Sequence, residues 1–120
     1  MQTLINALLV GIGGFLGSIC RYLVSLLPLS RKYTFPWTTL SVNLIGCFLI
    51  ALLVRHFIPP DNLRANLLWK TGFCGGFTTF SSFALETQTL LENNHPYLAI
   101  SYVALSICLG LLLVFLVFSR

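Results

Sequence analysis

Hydroxyl-bearing and aromatic residues surround a pair of adjacent glycines inside one apolar stretch of this chain. The stretch reads Thr71-Gly72-Phe73-Cys74-Gly75-Gly76-Phe77-Thr78-Thr79-Phe80-Ser81-Ser82-Phe83. Adjacent glycines are poor helix formers, and consecutive Ser and Thr residues compete with the backbone for hydrogen bonds. We therefore predict an interrupted helix, whose free carbonyls and amides could bind an ion. The alternative is a kink that serves only packing.

Three phenylalanines of this stretch recur every third residue: Phe77, Phe80 and Phe83. Such a ridge often packs against a neighbouring helix. Because the edges of phenylalanine rings are electropositive, the rings could also solvate a small anion edge-on. Glu86 follows Phe83 by about one helical turn. It either caps such a path or lies at the membrane boundary.

A second apolar stretch carries Thr39, Asn43 and Gly46, which share one face of a helix because they are spaced i, i+4 and i+7. An asparagine in the middle of an apolar stretch must find hydrogen-bond partners. It either ties helices together or, with Thr39, offers donors to an anion.

The last apolar stretch places Tyr102, Ser106 and Gly110 on one helical face. Together with the groups above, the tyrosine and the serine complete a track of neutral hydrogen-bonding side chains. No stretch contains the carboxylate pair of a proton-coupled pump or a nucleophile with a neighbouring base. We therefore predict that the chain is not an enzyme.

The composition indicates whether these stretches lie in water or in a membrane. Of the 120 residues, 57% are hydrophobic and 8% are charged, whereas soluble domains carry about 25% charged residues. A helix that crosses a membrane needs roughly 20 apolar residues. We predict one all-α integral membrane domain over residues 1–120, with the third helix broken and no cleaved signal peptide. Its four spans cover approximately residues 3–27, 35–57, 65–91 and 97–118.

The basic residues give little preference for one orientation in the membrane. Four spans would place Arg55, Arg64, Lys70 and Arg120 on one side, and Arg21, Arg31 and Lys32 on or near the other. Because the positive-inside rule needs a clear excess on one side, near-balance predicts a chain that inserts both ways up. The simplest closed assembly is then an antiparallel two-fold dimer. The net charge of +4 is too small and too dispersed for nucleic-acid binding.

Arg21 is the one basic residue well inside the first apolar stretch. A guanidinium within a span usually faces a partner, a cavity or the interface, because contact with lipid is unfavourable. Arg21 therefore either reaches the headgroups or pairs structurally, or it attracts anions at the mouth of a pore. In the same stretch, Gly13 and Gly17 form a small-xxx-small pair, for which we prefer a packing role.

Three motifs in this sequence resemble one family, the small dual-topology Fluc (CrcB-type) fluoride channels. They are Gly13-Gly14-x-x-Gly17-x-x-x-Arg21-Tyr22, Asn43-x-x-Gly46-x-Phe48 and Gly72-x-x-Gly75-Gly76-Phe77-Thr78-Thr79-Phe80-Ser81-Ser82-Phe83. The third motif is specific, and the first two would be weak alone. The resemblance covers essentially the whole chain, and its one departure is Ser82, where threonine is also common.

The resemblance implies an antiparallel homodimer with two pores, which exports fluoride passively from the cytoplasm across the bacterial inner membrane. It implies a structural Na⁺ on the two-fold axis, bound by the backbone carbonyls of Gly75 and Thr78. The pore residues that it implies are Asn43, Phe80, Phe83, Tyr102 and Ser106. Thr39, Thr79 and Ser81 are further residues carried over from the resemblance, with Glu86 at a vestibule, and we place Arg21 at the pore mouth.

Two other functions are compatible with a chain of this size. A small multidrug exporter shares the four spans and the possible dual topology, but it needs a membrane-embedded carboxylate early in the chain. The first two apolar stretches contain no Asp or Glu. A non-conducting helper subunit of a larger complex would explain the glycines, but not the aligned hydroxyl, amide and phenylalanine groups.

Overall fold

Long apolar runs with charged residues near their ends form helices joined by short connections. The structure is a computed structural model that describes residues 1–120, apart from the side chain of Ser30. None of the described residues lies in a β-strand. The chain is 51 Å long along its principal axis, which exceeds the ~30 Å thickness of a bilayer's hydrocarbon core.

Six helical elements follow one another along the chain. Helix α4 comprises a first turn, a π-helical stretch and a last turn, and α3 continues into a π-helical end at Leu53–Phe57. The bounds are α1 Gln2–Ser25, α2 Leu29–Lys32, α3 Trp37–Leu52, α4 Leu63–Ala65 with Asn66–Cys74 and Gly75–Phe77, α5 Phe80–Glu92, and α6 Pro96–Ser119.

Local chemistry sets several of these bounds. Pro96 occupies the first turn of α6, where its missing N–H has no helical partner to lose. The Asn62 side chain accepts a hydrogen bond from the Ala65 amide and caps α4. Asn94 has a φ of 60° in the turn between α5 and α6. Asparagine tolerates this left-handed conformation better than most residues.

Three helices are long and apolar enough to cross a membrane: Gln2–Ser25, Trp37–Phe57 and Pro96–Ser119. They match the predicted first, second and fourth spans to within a few residues. The predicted third span corresponds to α4 and α5, which are separated by two non-helical residues, Thr78 and Thr79. The predicted interruption of this segment is therefore confirmed.

Helices α1 and α4 approach until their backbones touch, and glycines make this possible. A Cβ at Gly17 would overlap the Phe73 carbonyl, and a Cβ at Gly13 would overlap the Leu68 carbonyl. On the facing helix, a Cβ at Gly76 would lie 2.5 Å from the Gly14 oxygen. The packing role predicted for Gly13 and Gly17 is confirmed.

Helices α3 and α6 pack on each other beside this pair, and the buried core lies near their connection to α5. Its members are Phe35, Leu40, Leu90, Ala99 and Tyr102, with Leu44, Phe83 and Leu98 packed against it. Much of the remaining apolar surface is exposed, including large side chains on α1 and α6. Such a surface suits contact with lipid or with another copy of the chain.

Candidate functional site

The helix break consists of Thr78 and Thr79, both in extended conformation. Their φ and ψ angles are −82° and 158° for Thr78 and −147° and 117° for Thr79. The interruption was predicted from the adjacent glycines and from the Ser and Thr residues that follow them, and the structure contains it at the threonines. Gly75 and Gly76 are helical, and Gly76 serves the contact with α1. The break follows two residues later, at the threonines, whose side chains bond to the backbone.

Asn43 on α3 holds the break in place. Its Oδ1 accepts a hydrogen bond from the Thr79 amide at 2.8 Å, and its Nδ2 donates to the Thr79 carbonyl at 3.0 Å. The amide therefore pairs with both backbone groups of one non-helical residue, as a neighbouring strand would. Two roles were predicted for Asn43, linking helices and donating to an anion. The structure shows the first of them. Because a carboxamide has two N–H donors, one hydrogen of Nδ2 is left over for another partner.

Side chains at the break take the helical donors of the Gly75 and Thr78 carbonyls. In a continuous helix, the Gly75 carbonyl would accept from the Thr79 amide, which donates to Asn43 instead. Likewise the Thr78 carbonyl would accept from the Ser82 amide, which donates to Thr79 Oγ1 at 3.2 Å. The two carbonyls for which we predicted a role in binding a cation are thus among those at the break that have lost their helical donors. A Cβ placed on Gly75 would meet no atom within 4 Å, so the space beside it is open.

A groove of about 570 Å³ runs along one side of the break. We call it the Phe80 groove. Its lining is largely apolar, with hydroxyl, amide and thiol groups and one ammonium. The lining residues are Asn43, Gly46, Cys47, Ile50, Lys70, Thr71, Cys74, Gly75, Thr78, Thr79, Phe80, Phe83, Ser106 and Ile107.

Aromatic rings and an unpaired hydroxyl dominate the chemistry of the Phe80 groove. The ring centroids of Phe80 and Phe83 are 5.6 Å apart, and those of Phe83 and Tyr102 are 5.1 Å apart. Phe80 is 79% exposed in the single chain. The Ser106 hydroxyl is buried without a hydrogen-bond partner among the described residues. An unpaired buried hydroxyl is unfavourable unless a further group binds it.

The predicted phenylalanine ridge is divided by the break. Phe77 is buried before the break, and its ring stacks on Phe73 at 6.0 Å between centroids. Phe80 and Phe83 follow the break and line the Phe80 groove. A single i+3 ridge is therefore a wrong description, because the extended threonines change the direction of the chain between its first and second members.

A second cavity, of about 330 Å³, lies on another side of the break, and we call it the Arg21 cavity. Glu86 is half-buried there. Its Oε1 accepts from Thr39 Oγ1 at 2.7 Å, and its Oε2 accepts from Tyr102 Oη at 2.7 Å. The lining residues are Ser18, Arg21, Tyr22, Ser25, Thr38, Thr39, Val42, Thr79, Ser82 and Glu86.

The structure separates the predicted pore residues into these two places. The Phe80 groove contains Asn43, Thr79, Phe80, Phe83 and Ser106, together with the two predicted cation ligands. The Arg21 cavity contains Arg21, Thr39, Glu86 and again Thr79.

Two predicted pore residues line neither cavity. Tyr102 is fully buried and reaches Glu86, and its ring packs against Phe83. Ser81 is exposed, with its Oγ 3.3 Å from Thr79 Oγ1. The shared helical face of Thr39 and Asn43 therefore does not bring them into one cavity, since Thr39 points toward Glu86.

Two residues of the cavities were missed in the sequence. Thr38 is 7% exposed, lines the Arg21 cavity and has an Oγ1 without a partner among the described residues. It lies outside the spacing of Thr39, Asn43 and Gly46 on which we relied, so no signal in the sequence selected it. Lys70 lines the Phe80 groove. In the sequence, Lys70 is a charged residue within an apolar stretch. We used it only to compare the numbers of basic residues on the two sides of the membrane.

Comparison with known proteins agrees with the motif resemblance. Residues 8–118 match a family model described as CrcB-like protein, Camphor Resistance (CrcB). A protein of Chlorobaculum tepidum is 46% identical over 112 residues, which cover 92% of this chain and 89% of the relative. A protein of Rhizobium etli is 44% identical over 117 residues, covering 93% and 92%. A protein of Azobacteroides pseudotrichonymphae is 44% identical over 105 residues, covering 85% and 84%.

All three relatives carry the name fluoride-specific ion channel FluC. A family of ion channels, together with three apolar helices of spanning length, indicates a multi-pass membrane protein. It also bears out the prediction that the chain is not an enzyme. The match extends over nearly all of the sequence and confirms the resemblance drawn from its motifs: the chain belongs to the CrcB family.

Proposed function

We propose that this protein is a fluoride-selective channel that lets fluoride leave the cytoplasm passively, across the inner membrane of a bacterium. The observation that carries the proposal is the break at Thr78 and Thr79, which Asn43 holds in place beside a groove lined by phenylalanine rings and hydroxyls. Relatives named as fluoride-specific channels, similar over most of their length, support the choice of ion.

In this proposal the chain crosses the membrane four times. Helices α1, α3 and α6 are three crossings, and α4 and α5 together form the broken one. Non-helical backbone is tolerated at membrane depth where it is buried in protein or lines a wet cavity. Thr78 and Thr79 fit that condition, because Asn43 pairs with the backbone of one and both line the Phe80 groove.

Two copies related by a two-fold axis in the membrane plane complete the assembly. The support is that residues of the candidate pore and cation site are uncovered in the single chain. Phe80 is 79% exposed there, and the space beside Gly75 is open. Near-balanced basic residues on the two sides favour insertion in both orientations. An antiparallel pair would enclose two equivalent pores, each built from both chains.

Fluoride is small and strongly hydrated, so donors must replace its water as it enters. The Phe80 groove offers the Ser106 hydroxyl, the remaining Nδ2 hydrogen of Asn43, and the ring edges of Phe80 and Phe83. The first turn of α5 adds the positive end of a helix dipole at the break. These groups are neutral, so they bind the ion weakly enough to release it, as conduction requires.

Thr39 and Tyr102 were predicted to belong to a track of hydrogen-bond donors, but their hydroxyls are already paired. Both hydroxyls donate their hydrogen to Glu86. While they do so, neither can donate to an anion. Their role in this arrangement is to fix the Glu86 carboxylate of α5 against α3 and α6, where it faces the same cavity as Arg21.

A structural Na⁺ fits the carbonyls of Gly75 and Thr78. Both residues line the Phe80 groove, and both carbonyls have lost their helical donors to side chains. Unwound carbonyls at membrane depth suit such a cation, and two copies would supply four oxygens. When bound, it would add a fixed positive charge at the centre of the assembly.

Purified protein in liposomes is expected to release fluoride down its gradient and to retain chloride. A fluoride-selective electrode, with a potassium ionophore to dissipate the membrane potential, measures the efflux, and protein-free liposomes give the background. Selectivity is expected because only an anion that exchanges its water for the donors of the groove can pass. Equal fluoride and chloride efflux, or no efflux of either ion, would contradict the proposal.

Reporters fused to the C-terminus are expected to locate it on both faces of the membrane in comparable amounts. The physical reason is the near-balance of basic residues across the predicted spans. A pair of reporters active on opposite faces measures the ratio. As a control, extra lysines in the 26–28 segment should drive the population to one orientation. A single location in the unmodified protein would exclude the antiparallel assembly.

A further inference from the structure

Lys70 is the one residue with a formal charge in the Phe80 groove. The groove's other lining groups are apolar side chains, glycines, thiols, hydroxyls and one amide. The chain has three acidic residues, Asp61, Glu86 and Glu92, and none of them is among the groove's described lining residues. The ammonium therefore faces a groove that contains no carboxylate to neutralise it.

The position of Lys70 along its helix is deep for a charged side chain. It is seven residues after Leu63, where α4 begins, and eight residues before Thr78, which places it about 12 Å from the break along the helix. A lysine at such a depth is unfavourable against lipid and is found where it faces a cavity or can reach the interface. The Phe80 groove supplies the cavity.

Lys70 lies on the same face of its helix as residues that lead to the break. Lys70, Cys74 and Thr78 recur at every fourth position, and all three line the groove. Thr71 and Gly75 line it beside them. The lysine thus stands at the start of a helical face that leads along the groove to the break.

Lys70 and Arg21, both positively charged, lie in different parts of the fold. Arg21 lies about one turn before the end of α1, whereas Lys70 lies in the first third of the broken α4–α5 segment, two membrane-crossing segments later. In segments that run up and down in turn, these two residues lie toward opposite ends of the bundle. An antiparallel pair would therefore bring Lys70 of one copy and Arg21 of the other to the same face of the membrane.

We propose that Lys70 is the residue that concentrates anions in the Phe80 groove, upstream of the break, without itself selecting among them. The inference rests on the proposed fluoride conduction and deepens it. A lysine ammonium is a strongly hydrated point charge on a flexible stem, so it attracts an anion without a fixed geometry that would trap it. A point charge attracts fluoride and chloride alike, so selectivity is left to the donors at the break.

The test compares Lys70→Gln, Lys70→Arg and Lys70→Glu with wild type in planar bilayers, at constant fluoride and varied ionic strength set by an impermeant salt. At about 10 mM ionic strength, where the Debye length is about 30 Å, Lys70→Gln should lower the fluoride conductance roughly two- to fivefold. Lys70→Glu should lower it further, and Lys70→Arg should keep it near wild type. At about 1 M the differences should vanish, and the fluoride-to-chloride permeability ratio should not change.

Arg64→Gln is the matched control, since Arg64 is an exposed basic residue of the same helix that is not among the groove's lining residues. It should leave the conductance unchanged. Size-exclusion profiles verify that each variant is folded. The inference is overturned if Lys70→Gln conducts like wild type at low ionic strength, or if its loss persists undiminished at high ionic strength. A wild type that does not conduct would instead remove the proposed function, and the role of Lys70 with it.

Discussion

An alanine at Gly17 is expected to destabilise the folded protein by about 1–3 kcal/mol, the usual cost of overpacking a tight contact. The new methyl group would overlap the Phe73 carbonyl and lie 2.8 Å from the Phe77 amide nitrogen. Both obstacles are backbone atoms of α4, which cannot rotate away as a side chain could. The two helices would have to separate, and with them the segment that leads into the break.

Gly11→Ala is the matched control on the same helix. A Cβ at Gly11 meets no atom within 4 Å in the single chain. Alanine is a better helix former than glycine by about 1 kcal/mol, so this variant should be as stable as wild type or slightly more stable. Thermal stability, measured as the fraction of detergent-purified protein that stays monodisperse after heating, separates the two substitutions. If Gly17→Ala is as stable as Gly11→Ala, α1 and α4 are not in backbone contact.

The helices could be predicted from the sequence because the signal is one of length and apolarity. Runs of about 20 apolar residues leave few alternatives, and three of them form helices at nearly the predicted residues. The interruption of the third stretch was also predictable, because hydroxyl side chains are concentrated there. The break lies within the segment from Gly75 to Phe80 where it was predicted, but which of these residues leave the helix was not predictable, because the same glycines can break a helix or let another helix approach.

The decision between these two uses of glycine depends on α1. Gly72 and Gly76 face Gly13 and Gly14 at backbone distance, so they are occupied in packing and remain helical. The chain becomes extended only at the threonines, where Asn43 and the Thr79 side chain supply partners for the displaced amides. A propensity scale contains no information about the partner helix, so it does not distinguish the glycines of this segment, which stay helical, from the threonines, which do not.

The division of the candidate site into two cavities could not be predicted for a similar reason. A helical face defined by i and i+4 spacing is broad, and Thr39 and Asn43 point to different neighbours from it. Thr39 reaches Glu86, 47 residues away, whereas Asn43 reaches Thr79, 36 residues away. Which hydroxyls are left to meet an ion depends on these long-range pairs. Ser106 is left unpaired, but Tyr102 is not.

Asn43→Ala is expected to lower both the thermal stability and the fluoride flux. The substitution removes both hydrogen bonds to Thr79 and leaves a backbone N–H and a carbonyl without partners in a partly buried site. Each unsatisfied buried group costs about 1–3 kcal/mol. Because about 1.4 kcal/mol corresponds to a tenfold change in an equilibrium, the intact break should become rare, and flux should fall by more than about tenfold.

Two further variants separate the tie from the path of the ion. Phe80→Ile removes an exposed ring that lines the groove without changing any hydrogen bond of the break, so it should cut the flux while thermal stability stays at the wild-type level. Ser41→Ala, on the same helix as Asn43 but in neither cavity, should change neither quantity. Efflux from liposomes and heating in detergent give the two measurements for each variant.

The pattern across these variants decides what Asn43 does. Loss of flux with full stability in Asn43→Ala would mean that the amide acts on the ion alone and that the tie to Thr79 contributes little. Loss of both is expected, since an amide that holds the break in place is also what withdraws the Thr79 N–H from the Gly75 carbonyl. Unchanged flux in Phe80→Ile would remove that ring from the path. The break and the path are thus joined at one side chain, and Asn43→Ala should disrupt them together.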